Sequence, residues 1–364
     1  MNQTTLPLAA ALIGAVISLL GTWVTCRVSR RIGFVDHPGG HKGHTGPIAL
    51  GGGVAIAAAV ALPMLTAVIL ARFGGADLLP VAIRIHLGGI ITKTPLALGI
   101  IAAIVVMCGM GLWDDRRPLR PLPKLIVQII VAAGLVLVFD LRLLSHLGWV
   151  ASSTLSILWI LTLMNSLNFL DNMDGLAAGV AMIASSVFAF AALGDGQVFV
   201  PACCMLLAGA LAGFLPFNFF PAKIFMGDAG SQVIGMLLGV FTILTTFADP
   251  VRGQKPIGAL APLVVMAVPL YDTVSVVFLR MRMHVSIWTG DRRHFSHRLI
   301  NRGMSVPKAV LLIWLATLVT ALPALLLATA SWTLAWCIAA ETIFVVGVVA
   351  FLEWTGSKQQ RVER

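Results

Sequence analysis

A chain of 364 residues that is 59% hydrophobic, only 11% charged and has a mean hydropathy of +0.96 is not an ordinary soluble globular domain. Its five cysteines (Cys26, Cys108, Cys203, Cys204, Cys337) lie in or beside apolar runs without CxxC spacing, so neither a disulfide framework nor a zinc site is suggested. The formal net charge of +10 comes with no basic face interleaved with aromatics, so no nucleic-acid partner is implied.

In chain order, the first apolar run, Leu6 to Thr25, has no Lys or Arg before it and Arg27, Arg30 and Arg31 after it. That is the reverse of a signal peptide, and it predicts an uncleaved helix with its N-terminus outside. Further spans are predicted at roughly 50–71, 95–112, 124–139, 150–166, 175–194, 197–216, 229–248, 257–280, 308–328 and 332–352. The fold class is therefore an all-α polytopic membrane protein of about eleven transmembrane helices, one domain over 1–364 with a short cytoplasmic tail from 353. On this topology the inner loops hold 19 of the 25 Lys and Arg, and the outer loops hold Arg72, Arg84, Lys93, Arg142, Arg252 and Lys255. No fixed-period repeat is present.

The same topology brings five polar clusters to the inner face: His41-Lys42-Gly43-His44, Trp113-Asp114-Asp115-Arg116-Arg117, Asn165 to Gly175, Phe225 to Ser231, and Asp291 to His297. The outer loops have Asp77, Asp140, Asp195 and Asp249 scattered singly. Twelve of the fifteen acidic residues are Asp, and the three Glu (Glu341, Glu353, Glu363) are confined to the last 24 positions. Short, stiff carboxylates suit fixed ligand geometry or turns.

Asn165, Asn168, Asp171 and Asp174 recur three apart, so at helical pitch one face carries all four, a set of oxygen donors for a hard divalent cation; a polar loop closed by Asx turns is the alternative. Asp114 and Asp115 repel each other unless a cation or the nearby Arg116, Arg117 and Arg120 compensates them. Gly227-Asp228-Ala229-Gly230-Ser231 precedes a helix, where small residues expose N–H groups to a phosphate and Asp228 is either a metal ligand or an N-cap. The pairs His41/His44 and His294/His297 lie among Lys42, Arg292 and Arg293, which disfavours zinc and points to anion binding, or to snorkelling inner-loop charge. Asp272 lies inside an apolar span, where an ionised group costs roughly 2.5–3.5 kcal/mol, so it is a functional candidate or the partner of an internal hydrogen bond with Thr273 or Tyr271.

These motifs, in this order, resemble the polyprenyl-phosphate N-acetylhexosamine-1-phosphate transferases of glycosyltransferase family 4. The match runs from Lys42-x-His44-x-x-Pro47 and Gly52-Gly53 to Arg298. The resemblance implies an integral membrane enzyme with a cytoplasmic-face site that uses Mg²⁺, with Mn²⁺ as a substitute. It moves a sugar 1-phosphate from a UDP-N-acetylhexosamine to undecaprenyl phosphate in the bacterial inner membrane, and UMP leaves. The same resemblance implies Asp228 and Asn168 as metal ligands and Asp114 and Asp115 as paired catalytic carboxylates. Asp171 and Asp174 would bind the nucleotide and organise the site. Lys42, His44, Lys124, Asn165, Asn172, Gly227, Arg292, His294 and His297 are the implied substrate contacts. The loop before Lys124 and Gln128 is two residues longer than usual, Ala49 stands where a proline is frequent, and Ser296 stands where relatives often carry a histidine. Restoring His at 296 is expected to be tolerated if that position serves the same anion.

The run of histidines ending in glutamate that marks the phospho-MurNAc-pentapeptide transferases is absent, which favours the GlcNAc-1-phosphate branch and keeps the MurNAc branch as the alternative. A rival of another class is an ion-coupled secondary transporter using Asp272 and the Asn/Asp cluster, but its sites would lie near the midplane within inverted repeats. A homodimer is compatible with all of these readings.

Overall fold

The computed structural model describes residues 4–38, 46–74, 77, 81–194, 196–245, 247, 255–286 and 294–362; Lys42, His44 and Arg292 lie outside them. The chain begins with α1 (Thr5–Arg31), then a two-residue antiparallel pair, β1 (Val35–Asp36) and β2 (Ile48–Ala49). There follow α2 (Gly52–Arg72), the short α3 (Val81–Arg84), α4 (Leu87–Arg116), α5 (Pro121–Phe139), α6 (Trp149–Leu170), α7 (Leu176–Gly194), α8 (Phe199–Asn218) and α9 (Gly227–Leu244). The last third holds α10 (Ala261–Val265), α11 (Ala267–Arg282), α12 (Phe295–Ile300), α13 (Val306–Ala321) and α14 (Trp332–Val362).

Among the described residues ten helices are long and apolar enough to cross a membrane. The eleventh predicted span, 257–280, is the broken pair Pro256–Val265 and Ala267–Arg282, bent by 67°, which raises the number of crossings to eleven when the pair counts as one span. The break has a covalent cause. Pro269 has no N–H to give to the carbonyl of Val265 four residues back, and its ring crowds that carbonyl.

Several helices run further than their apolar cores predict, and three of the extensions carry the polar clusters. α4 continues through Asp114 and Asp115, α6 through Asn165 and Asn168 to Leu170, and α9 starts at Gly227, so that Asp228 is in its first turn.

The most enclosed helix is α9, buried without interruption from Ala229 to Thr242. Between helices in lipid there is no hydrophobic gain, so closeness depends on small residues. Here Gly53 of α2 and Gly111 of α4 face the backbone of α9 around Asp228–Gly230, and Gly235 of α9 faces Leu163 and Met164 of α6; a Cβ at any of the three would collide with backbone. The start of α2 is also sewn to the strand before α9, because Gly52 and Gly53 N–H donate to the carbonyls of Phe225 and Met226 at 3.0 Å and Phe225 N–H donates to Ala49 at 2.9 Å. The result is that the ends of α4 and α6 and the starts of α5, α7 and α9 meet at one end of the bundle.

Candidate active site

Asp228 is the hub of that end. Its Oδ2 is paired with the Lys124 ammonium from the first turn of α5, and Lys124 Nζ also reaches Asp114 Oδ2 at 2.7 Å. Its Oδ1 accepts from Asn168 Nδ2 at 2.9 Å, and the same amide group donates to Ser231 Oγ at 3.0 Å. Thus α4, α5, α6 and α9 each contribute a polar group to one ion-paired knot. The longer loop before Lys124 still delivers it here, because Asp114 Oδ1 takes the Leu119 N–H at 2.6 Å and folds the chain back into α5.

The two adjacent aspartates diverge. Asp115 directs Oδ1 to the N–H of Asp228 at 2.8 Å and Oδ2 to that of Ala229 at 3.4 Å, so it caps α9 from a neighbouring helix. Of the two readings of Asp228, metal ligand or N-cap, the second does not hold: the N-cap is Met226, which makes no side-chain cap bond. Two of the amides expected to face a phosphate are held by Asp115. Gly227 makes this approach feasible: its φ is +66°, and a Cβ there would strike the Asp115 carboxylate.

The turn between α6 and α7 carries Asp171, Asn172 and Asp174. Asp171 is half-buried just past α6, outside the membrane-spanning helices. Burial, and then the carboxylates of Asp228, Asp115 and Asp174, push its pKa well above the usual carboxylate range. Asp174 Oδ2 accepts from Ala222 N–H at 2.9 Å, and Asn172 Nδ2 donates to Phe169 O at 2.7 Å. Gly175, at φ +75°, gives its N–H to Asn218 Oδ1 at 3.1 Å.

Asn165 lies one turn deeper. Its Nδ2 donates to Gln128 Oε1 at 3.0 Å, and Gln128 donates to Gln232 Oε1 at 2.6 Å, a buried amide chain joining α6, α5 and α9.

The last inner segment docks beside this turn. His294 is 5% exposed; its Nδ1 is 2.8 Å from Oδ2 of the fully buried Asp272, whose Oδ1 accepts from Phe295 N–H at 3.1 Å. The His294 ring lies 6.0 Å from Phe169, over which the buried Arg280 is placed at 5.4 Å. The expected partners of Asp272, Thr273 and Tyr271, are replaced in these bonds by His294 and Phe295; Thr273 Oγ1 goes instead to Ser166 Oγ and Pro269 O. Ser296 Oγ donates to Asn172 Oδ1 at 2.6 Å, and His297 is on the next turn position, half-buried.

Of the predicted residues, Asp114, Asp115, Lys124, Asn168, Asp171, Gly227 and Asp228 form one cluster. Asp174 and Asn172 brace its turn, Asn165 lies one turn deeper, and His294 with Asp272 forms a separate buried pair. Asn218, Gln232 and Ser296 were not predicted as site residues. Asn218 is a lone amide at the end of an apolar run, without the three-apart recurrence that singled out Asn165. Among the described residues no three His, Cys, Asp or Glu side chains form a ready metal-ligand set.

The model of glycosyl transferase family 4 matches residues 97–246, the stretch that carries the Asp pair, the Asn/Asp turn and Asp228. The decaprenyl-phosphate N-acetylglucosaminephosphotransferase of Mycolicibacterium smegmatis is 36% identical over 84% of this chain and 79% of its own length. The protein of the same name from Mycobacterium tuberculosis is 34% identical over 84% of this chain and 79% of its own. The undecaprenyl-phosphate alpha-N-acetylglucosaminyl 1-phosphate transferase of Escherichia coli is 28% identical over 80% and 75%. With this likeness spread over the helices that build the Asp228 knot, the chain belongs to glycosyl transferase family 4, in the branch of polyprenyl-phosphate N-acetylglucosamine-1-phosphate transferases.

Proposed function

We propose that the chain transfers N-acetylglucosamine 1-phosphate from UDP-N-acetylglucosamine to undecaprenyl phosphate at the cytoplasmic face of the bacterial inner membrane, releasing UMP and starting a lipid-linked envelope glycan. The observation that carries this reading is the convergence of Asp114, Asp115, Asn168, Asp171 and Asp228 on one bundle end, with the Lys124 ammonium paired to Asp114 and Asp228. A midplane ion site, as a transporter needs, fits helix ends poorly.

The donor set suits Mg²⁺ or Mn²⁺. Its atoms are carboxylate and amide oxygens, and the carboxylate repulsion that adds to burial in raising Asp171 is what a hard dication relieves. Asp228 and Asp171 would hold the ion, with Asn168 joining by turning its amide oxygen toward it. When bound, the ion supplies charge neutralisation for the departing UMP.

The protein's own groups do the remaining work. Lys124, released from part of its ion pairing, binds a phosphate oxygen. Asp115 keeps the first turn of α9, and so Asp228, in place. The acceptor monoester has a second pKa near ~6 and is already largely dianionic at neutral pH, so Asp114 aligns it rather than generating it. Direct attack then predicts sequential kinetics, and a covalent aspartyl intermediate predicts ping-pong kinetics.

The test is UMP release by purified protein with undecaprenyl phosphate and Mg²⁺, offered UDP-GlcNAc, UDP-GalNAc or UDP-MurNAc-pentapeptide. UDP-GlcNAc is expected to be the substrate, with Asp228→Asn inactive. Release from UDP-MurNAc-pentapeptide alone would move the chain to the other branch, and no release from any donor by folded protein would overturn the assignment.

A further inference from the structure

We propose that Ser296 is a positioning residue for the transfer reaction: its hydroxyl fastens Asn172, and with it the turn carrying Asp171 and Asp174, to the first turn of α12. The inference rests on the Asp228 knot being the site of transfer and identifies what fixes its α6–α7 edge.

Ser296 is fully buried, and its Oγ donates to Asn172 Oδ1 at 2.6 Å. The other end of the same amide donates to Phe169 O at 2.7 Å, so Asn172 closes its own turn and binds α12 at once. The turn is held from opposite sides. Toward α8, Asn218 takes the Gly175 N–H at 3.1 Å and Asp174 takes the Ala222 N–H at 2.9 Å. Toward α12, Ser296 supplies the hold.

That second hold is only as rigid as α12, and α12 is anchored to α11 along its length. Asp272 takes the Phe295 N–H at 3.1 Å and His294 Nδ1 at 2.8 Å, and Arg298 donates to Ser275 Oγ at 3.1 Å. A continuous chain of bonds therefore runs from α11 through α12 and Ser296 to Asn172, the residue next to Asp171. Asp171 itself ends α6, three residues after Asn168, whose Nδ2 donates to Asp228 Oδ1 at 2.9 Å. A group that must meet phosphate in a fixed geometry loses rate when its support loosens, even without any change of its own chemistry.

The experiment measures kcat and both KM values for Ser296→Ala, Ser296→Cys, Asn172→Ala and the double variant Ser296→Ala/Asn172→Ala, with Asp228→Asn as reference. Losing one neutral hydrogen bond is expected to lower kcat by roughly five- to thirty-fold in Ser296→Ala, with the undecaprenyl-phosphate KM unchanged. Ser296→Cys keeps the volume but donates weakly, so it falls with Ala if the bond matters and stays normal if only packing does. The double variant is expected to be no slower than Asn172→Ala, because both changes cut the same link. Ser296→Ala or Ser296→Cys with kcat within about twofold of the parent, or strictly additive losses, would overturn the proposal. Should Ser296→Ala fail to accumulate, the Cys variant and its combination with Asn172→Ala decide the matter. An active Asp228→Asn would instead overturn the placement of the transfer site; an inactive one beside normal Ser296 variants would remove the positioning role alone.

Discussion

Two adjacent aspartates with one spelling have two different surroundings, and the division of labour between them follows from a glycine. Asp115 reaches the amides of α9 because Gly227 leaves the space, whereas Asp114 turns to Leu119 and Lys124. The pair was legible in the sequence, as adjacent carboxylates at the end of an apolar run; that the two take different partners was not, since that depends on a close approach between residues 113 apart. Ser296 shows the same limit. Replacing a histidine by serine reads as a lost anion contact, yet the position is fully buried and bonded to Asn172, so His at 296 would break that bond and is expected to be harmful. Asp171 gives a prediction with a sign. Its pKa is raised in the folded protein, by burial first and by Asp228, Asp115 and Asp174 next, while in the unfolded chain it is near ~3.9. The folded state therefore holds the proton more tightly, and the stability this residue contributes is complete below the unfolded value and lost as pH rises through the folded one. In the presence of EDTA, Asp171→Asn is expected to melt with the parent near pH ~4 and above it at neutral pH, while its transfer activity falls. Magnesium should then raise the melting temperature of the parent and leave that of the variant nearly unchanged. Equal melting curves for parent and variant across this range would show that the carboxylates do not strain the site.

Ten of the eleven predicted spans are single helices among the described residues, in the predicted order, and their bounds were missed mainly at the ends, where charged and amide residues continue a helix that hydropathy says has stopped. α4, α6 and α9 are extended in this way because their terminal polar groups are bonded across helices rather than to water. The bend before α11 was written in Pro269, but hydropathy alone reads 257–280 as one run. The short helix α12 is where sequence and structure weigh differently. Its histidine was read as a ligand for anions or as inner-loop charge, and the structure buries it against Asp272. Removing His294 would leave Oδ2 of a fully buried carboxylate without that partner, a cost on the order of 1–3 kcal/mol. His294→Ala is therefore expected to lower the melting temperature in detergent by several degrees. Asp272→Asn, whose amide oxygen can still accept from Phe295 and whose NH₂ can face the imidazole, should lose less. If His294→Ala melts like the parent and changes only the donor KM, the residue belongs to the substrate and not to the anchoring of α12.

At the scale of the whole molecule the question is whether the broken pair α10–α11 crosses or turns back, since it decides between ten spans and eleven. Hydrogen bonds at its two ends answer in favour of crossing. Lys255, just before the bent pair, gives its N–H to Ala328 at 2.8 Å and its Nζ to Ala330 at 2.7 Å, beyond the far end of α13. Beyond the other end of the pair, α12 is bonded to the α6–α7 turn beside Asp228, and the near half of α13 meets the start of α7 where Trp314 donates to Leu176 O at 3.4 Å. The pair thus leads from the end of the bundle remote from the cluster to the end that holds it. A crossing pair makes eleven spans, an odd number, which predicts the two ends of the described chain on opposite faces. The excess of Lys and Arg in the loops at the cluster's end predicts that this end lies inside. A labelling experiment tests both statements together. Cys337 is exposed while Cys26, Cys108, Cys203 and Cys204 are buried, so Cys337→Ser alone should give a quiet background for a membrane-impermeant maleimide. In that background Thr4→Cys is expected to be labelled in intact cells, and Lys358→Cys only after permeabilisation. Labelling at both positions in intact cells would make the number of crossings even and α10–α11 a re-entrant loop; the reverse pattern would keep the count and place the carboxylate cluster on the outer face, away from any cytoplasmic nucleotide sugar.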